Sequence, residues 1–145
     1  MAGTDPPIND WFSMTITIVA TDQAPKAIGP YSQAIRTENL VFTAGQIGFD
    51  PATMEIVKGG IEAETRQALT NLKHVLEAAD SGLNFVVKTL VFLQNMNDFA
   101  KMNEVYGGFF PENPPARSTV QVAALPKGAL VEIECVALIS STLGD

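Results

Sequence analysis

Residues 130–139, LVEIECVALI, constrain this chain more than any other stretch. Val131, Ile133, Cys135, Ala137 and Ile139 alternate there with Leu130, Glu132, Glu134, Val136 and Leu138. Successive side chains of a strand point to opposite faces, so a strand here is apolar on one face and, apart from its two glutamates, apolar on the other. Such a strand has to be covered twice. Helices of the same chain can cover one face of its sheet. The second, left to water, is a contiguous apolar patch whose simplest cover is another subunit. A homo-oligomer is expected from these residues alone.

The segment before it, Pro114-Pro115-Ala116-Arg117-Ser118-Thr119-Val120-Gln121-Val122, places an arginine among small and apolar residues, where a charge must be paired or used. Arg117, Thr119 and Gln121 share one face of this strand, and Glu132 and Glu134 share one face of the next. The pair of strands reads as an anion pocket with a base beside it. Each residue also has a plainer reading: Arg117 as the partner of an acid at a subunit interface, Glu132 as the partner of a Lys or Arg on a neighbouring strand.

Upstream, Thr15–Val19 alternates polar and apolar residues as a first strand, and Ala24–Pro30 is a Pro- and Gly-broken loop. Tyr31–Arg36 resumes an extended pattern, Glu38-Asn39 turns, and Leu40–Ile47 reads as a third strand. After the turn at Asp50-Pro51, the apolar positions from Ile61 to Ala79 recur at helical spacing, with Glu62 and Glu64 in the first turn and Ser81-Gly82 as the stop. Val86–Leu93 is a β-branched strand. Asn95–Asp98 offers caps for a second helix whose stripe, Phe99, Met102, Val105, Tyr106, Phe109 and Phe110, reads as core. Three strands, helix, strand, helix and two strands predict an α+β domain with two helices on one face of a mixed sheet.

At 145 residues and 46% hydrophobic content the chain suits one domain, placed at 15–141 behind a tail at 1–14. A net charge of −7 without a basic run argues against nucleic acid as a partner. No stretch reaches the ~20 apolar residues of a membrane span, and the N-terminal segment lacks signal-peptide patterning. Together with a single cysteine, Cys135, which reads as a small core residue, this fits a cytoplasmic address. The single histidine, His74, falls on the polar side of the first helix. One His and one Cys leave no ligand set for a zinc centre, so no metal is expected.

Read together, Ala27-Ile28-Gly29-Pro30-Tyr31-Ser32-Gln33-Ala34, Ala44-Gly45-Gln46-Ile47, Val87-Lys88-Thr89, Asn97-Asp98-Phe99, Pro115-Ala116-Arg117-Ser118 and Leu125–Glu134 closely resemble the RidA/YjgF family, also labelled endoribonuclease L-PSP or translation inhibitor. The match runs from about Ile18 to Ile139 in the family's own order. The resemblance implies a chorismate-mutase-like homotrimer with active sites between subunits and no cofactor. It implies hydrolysis of small 2-imino acids, such as 2-iminobutanoate and 2-iminopropanoate, to 2-oxo acids and ammonia.

Carried over by motif, Arg117 binds the substrate carboxylate through its planar fork and Glu132 positions and deprotonates the attacking water. Tyr31 supplies a hydroxyl at the cleft edge, Asn97 a polar contact, and Gly45 and Thr119 backbone groups. Asn97 doubles as a candidate helix N-cap and Tyr31 as an ordinary rim residue. Ala44 stands where many relatives have serine, and Thr119 where several have cysteine. The first departure bears on substrate preference, because one neutral hydrogen bond contributes only about 0.5–1.5 kcal/mol. Two other roles fit the labels and the fold: RNA cleavage, for which one surface histidine and an acidic chain are poor equipment, and a non-catalytic trimer that binds small carboxylates or acts as a chaperone.

Overall fold

Over residues 16–140, the part of the chain that the computed structural model describes, nine strands and two α-helices form. The expected tail, and Thr15 and Ser141 at the expected domain limits, lie outside the described residues. In chain order the elements are β1 (Thr17–Val19), β2 (Ala34–Arg36), β3 (Leu40–Thr43), β4 (Gln46–Ile47), β5 (Phe49–Asp50), β6 (Glu55–Ile56), α1 (Gly60–Ala78), β7 (Val86–Leu93), α2 (Phe99–Phe109), β8 (Ala116–Gln121) and β9 (Val131–Leu138). The main sheet runs β1-β2-β3-β9-β7-β8, and β4 pairs with β9 alongside β3. Every pair in it is antiparallel except β7 with β8, which α2 joins as a crossover. The predicted α+β architecture, a mixed sheet with two helices on one face, is the architecture found.

β9, the strand apolar on both faces, sits in the middle of the sheet between β3 and β7. Its odd-numbered residues Val131, Ile133, Cys135 and Ala137 are buried with Leu69, Leu72 and Leu76 of α1, Met102 and Tyr106 of α2, and Val91 and Leu93 of β7. Full burial of each large apolar side chain contributes roughly 1.5–3 kcal/mol. On the opposite face, Ile18, Ile35, Phe42 and Val136 line up across β1, β2, β3 and β9, and Val120, Phe92 and Glu132 across β8, β7 and β9. Ile18 is 59% exposed in the single chain, and Phe42 and Val120 each 44%. The uncovered apolar face read from the sequence is present.

Three details depart from expectation. Leu40–Ile47 is two strands, broken at Ala44-Gly45: the Ala44 N–H turns to the Gln33 carbonyl at 2.9 Å, and the Thr43 hydroxyl accepts from the Cys135 N–H at 3.0 Å. The helix stop is Asp80, left-handed at φ 60°, and not Gly82; the Ser81 N–H then reaches back to the Leu76 carbonyl at 2.9 Å. Glu64 does not dress the helix dipole at the surface. It is buried, and its carboxylate accepts the Leu130 N–H at 2.9 Å, tying α1 to the entry of β9.

Asn71, fully buried on α1, donates to the carbonyls of Ile47 at 3.2 Å and Phe49 at 2.9 Å. It fixes the β4–β5 segment against the helix, and with it the position of Gly45.

Candidate active site

The break between β3 and β4 opens a recess on the face of the sheet away from the helices. Tyr31, Gly45, Gln46 and Glu132 line it with Pro25, Lys26 and Pro126. Glu132 sits on β9 opposite Ile47 on one side and Phe92 on the other, so no cation faces it across the ladder. Burial, and next the negative charge of Glu134, raise its carboxyl above the ordinary carboxylate range. Gly45 is required here by close approach: a Cβ on it stands 2.7 Å from Cδ and 3.0 Å from Oε2 of Glu132. Tyr31 is placed by the turn at Gly29-Pro30, its N–H bonded to the Gly29 carbonyl at 2.9 Å and its hydroxyl accepting from the Ile28 N–H at 3.2 Å. Three of the sequence-predicted residues, Tyr31, Gly45 and Glu132, thus meet.

The others gather elsewhere. Arg117 pairs with Thr89 in the parallel β7–β8 ladder and shares its face, the helix side. Its guanidinium carbon lies 4.7 Å from the ring centroid of Tyr106 and 5.5 Å from that of Phe99. Thr119 is on the same face two residues on, its hydroxyl buried without a hydrogen-bond partner. Asn97 lies in the 3-10 turn before α2, exposed, its N–H bonded at 2.9 Å to the Asn95 side chain. The local cap is therefore Asn95, which leaves the Asn97 side chain free of the capping role.

The anion pocket with a base beside it does not form within one chain, because Arg117 points to the helix side and Glu132 to the other. The alternation within each strand was legible; the relative phase of the two was not. Among the described residues the single ion pair is Arg36 with Asp80, so Glu132 lacks the Lys or Arg of a neighbouring strand that its plainer reading gave it, and Arg117 pairs with no acid of its own chain. The recess around Glu132 holds about 50 Å³, far below the ~300 Å³ at which small-molecule pockets begin. A larger cavity of about 550 Å³, lined by Lys73, Glu77, Phe109 and Phe110 among others, carries none of these residues. Phe99 and Tyr106, read from the sequence as core, turn out to contact the arginine. Their spacing of seven, which puts both on one helix face, was the available signal.

His74 stays at the helix surface with Nδ1 3.0 Å from the Gln23 carbonyl oxygen. Cys135 is buried beside Thr43, and burial pushes its thiol up to about 12. Among the described residues no helix is long and apolar enough to cross a membrane.

A mixed sheet with two helices on one face is the chorismate-mutase-like α+β architecture of RidA-type structures. The endoribonuclease L-PSP family profile matches residues 21–139, and the chain belongs to that family, whose members include the RidA and RutC proteins. It is 58% identical over 120 residues to a RutC family protein of Pyrococcus horikoshii, covering 83% of this chain and 95% of the relative. It is 47% identical over 126 residues to human 2-iminobutanoate/2-iminopropanoate deaminase, covering 87% and 92%. Among solved structures, RidA from an Antarctic Psychrobacter superposes with a TM-score of 0.82 at 49% identity, covering 85% of this chain and 99% of that one. Escherichia coli TdcF with bound serine superposes at 0.82 with 42% identity, covering 86% and 99%.

Proposed function

We propose that this protein is an imine deaminase that hydrolyses 2-iminobutanoate and 2-iminopropanoate to 2-oxo acids and ammonia, in active sites shared between subunits of a homotrimer. The observation that carries the reading is a half-buried carboxylate, Glu132, in no ion pair among the described residues and facing a recess too small for a substrate. The arginine suited to the substrate carboxylate lies on the other side of the same sheet. A second subunit on the exposed apolar face can bring one chain's Arg117 to another's Glu132 and bury Phe42 and Val120 in the same step. The mammalian relatives named as 2-iminobutanoate/2-iminopropanoate deaminases support the chemistry, and the serine in TdcF supports a site that accepts a small α-carboxylate.

In this reading Arg117 holds the substrate carboxylate by two parallel charge-assisted hydrogen bonds. Glu132 takes a proton from water as the water oxygen bonds to the imine carbon, and hands that proton to the nitrogen, which becomes an amine. The tetrahedral carbinolamine then expels ammonia, its hydroxyl proton passing back through Glu132, and the 2-oxo acid is left. A raised carboxyl pKa suits a group that must both take and return a proton. Tyr31, the Asn97 amide and backbone groups at Gly45 and Thr119 complete the positioning.

Mixing subunits tests both halves at once. Arg117→Ala and Glu132→Gln chains are each expected to be inactive toward imine generated in situ by an amino-acid-deaminating enzyme. Co-refolded, they recover activity, because some hybrid sites combine an intact arginine with an intact glutamate. No recovery from a mixture of confirmed hybrid trimers sinks the shared site. Tight carboxylate binding without turnover by the wild type favours the non-catalytic reading.

A further inference from the structure

We propose that Tyr106 is a positioning residue for Arg117: its ring, fixed by Thr89, is the platform on which the guanidinium lies while its N–H edge takes the substrate carboxylate. The inference rests on Arg117 being that carboxylate anchor.

Two contacts lock the ring. Its hydroxyl is 2.7 Å from the hydroxyl of Thr89, and both residues are buried. Phe110 packs against it with centroids 4.7 Å apart. Thr89 is also the ladder partner of Arg117, so the ring is held by the same strand position that sets where the arginine leaves its strand. The guanidinium carbon then lies 4.7 Å from the Tyr106 centroid, with Phe99 a second ring at 5.5 Å. A guanidinium that stacks on a ring gives up a π-face and keeps in-plane donors for a ligand, the geometry two-pronged carboxylate recognition needs. With no acid among the described residues paired to Arg117, the Tyr106 and Phe99 side chains are what it rests against within the chain. Phe99 is 37% exposed, so unlike Tyr106 it can be truncated with little effect on packing.

The test is calorimetric titration of the assembled protein with 2-oxobutanoate, beside kcat and KM for the imine and thermal melting of each variant. Tyr106→Leu is expected to weaken 2-oxobutanoate binding about tenfold and Phe99→Leu a few-fold, from loss of a partly desolvated cation–π contact. KM should rise in step while kcat stays within about threefold. Tyr106→Phe, which keeps the ring, should restore most of the affinity while lowering the melting temperature through the orphaned Thr89 hydroxyl. If Tyr106→Leu does not fold, Phe99→Leu decides. Unchanged affinity in the folded ring variants, or an equal loss in Tyr106→Phe, overturns the platform. Arg117→Ala separates the two ideas: if it binds 2-oxobutanoate normally the anchor itself is wrong, whereas if it alone loses binding only the platform fails.

Discussion

Replacing Gly45 by alanine puts one methyl group into the recess and tests whether Glu132 works from the place it occupies. The added carbon lands 2.7 Å from Cδ and 2.8 Å from Cγ of Glu132. To restore an ordinary carbon–carbon contact of ~3.5 Å the carboxyl must retreat by roughly 0.8 Å. It can do so, because what stands in the way is the far end of a side chain. Misplacing a reacting group by about 1 Å costs on the order of a hundredfold, or ~2.7 kcal/mol of barrier. Gly45→Ala is therefore expected to lower kcat for 2-iminobutanoate about a hundredfold while the protein stays folded. Gly48→Ala is the matched control: there the new carbon meets the Cα of Glu64 at 2.8 Å, a helix backbone that cannot swing aside. Overpacking of that kind costs about 1–3 kcal/mol, which lowers the melting temperature by several degrees. Thermal melts and initial rates of 2-oxobutanoate release on both variants separate the cases. A folded Gly45→Ala protein with wild-type kcat would falsify the role given to Glu132.

Three further outcomes are expected. Glu134 raises the Glu132 carboxyl, and a base is lost as pH falls through its pKa, so Glu134→Gln should shift the acid limb of the kcat/KM profile to lower pH; a limb that stays in place argues for a different titrating group. Asn71→Leu strands the buried carbonyls of Ile47 and Phe49, at about 1–3 kcal/mol apiece; urea unfolding within ~0.5 kcal/mol of wild type would contradict this. The Cys135 thiol, pushed up to about 12 and buried, should react with a disulfide reagent at pH 8 only at the rate at which the protein opens. Rapid labelling of the native protein is the contrary result.

Periodicity makes both helices and the longer strands legible in the sequence, and β9 announces its central place by being apolar on both faces. The two-residue strands β5 and β6 were invisible, since a period cannot be read from so few residues, and β4 was read only as the end of β3. The relative phase of β8 and β9 was hidden for a comparable reason. In β9 the all-apolar face declares itself as core, but β8 offers Arg117, Thr119 and Gln121 on one face and Ala116, Ser118 and Val120 on the other. Neither pattern says which one meets the helices. Glu64 was misplaced because a carboxylate in a first helical turn is ordinarily a surface residue, and only the tertiary approach of Leu130 gives it a buried role. The family motifs did recover Gly45, a residue whose meaning depends on what approaches it.

The place of β9 also sets a schedule for the ribosome. The strand that joins β3 and β4 to β7, and that carries Glu132, begins only at residue 131. A nascent chain shorter than that can form its helices and outer hairpins but has an empty slot in the middle of its sheet, flanked by unpaired backbone edges open to any passing strand. Shape and the proposed chemistry therefore arrive together, with β9, and a premature stop before that strand leaves a chain without Glu132 and primed for aggregation.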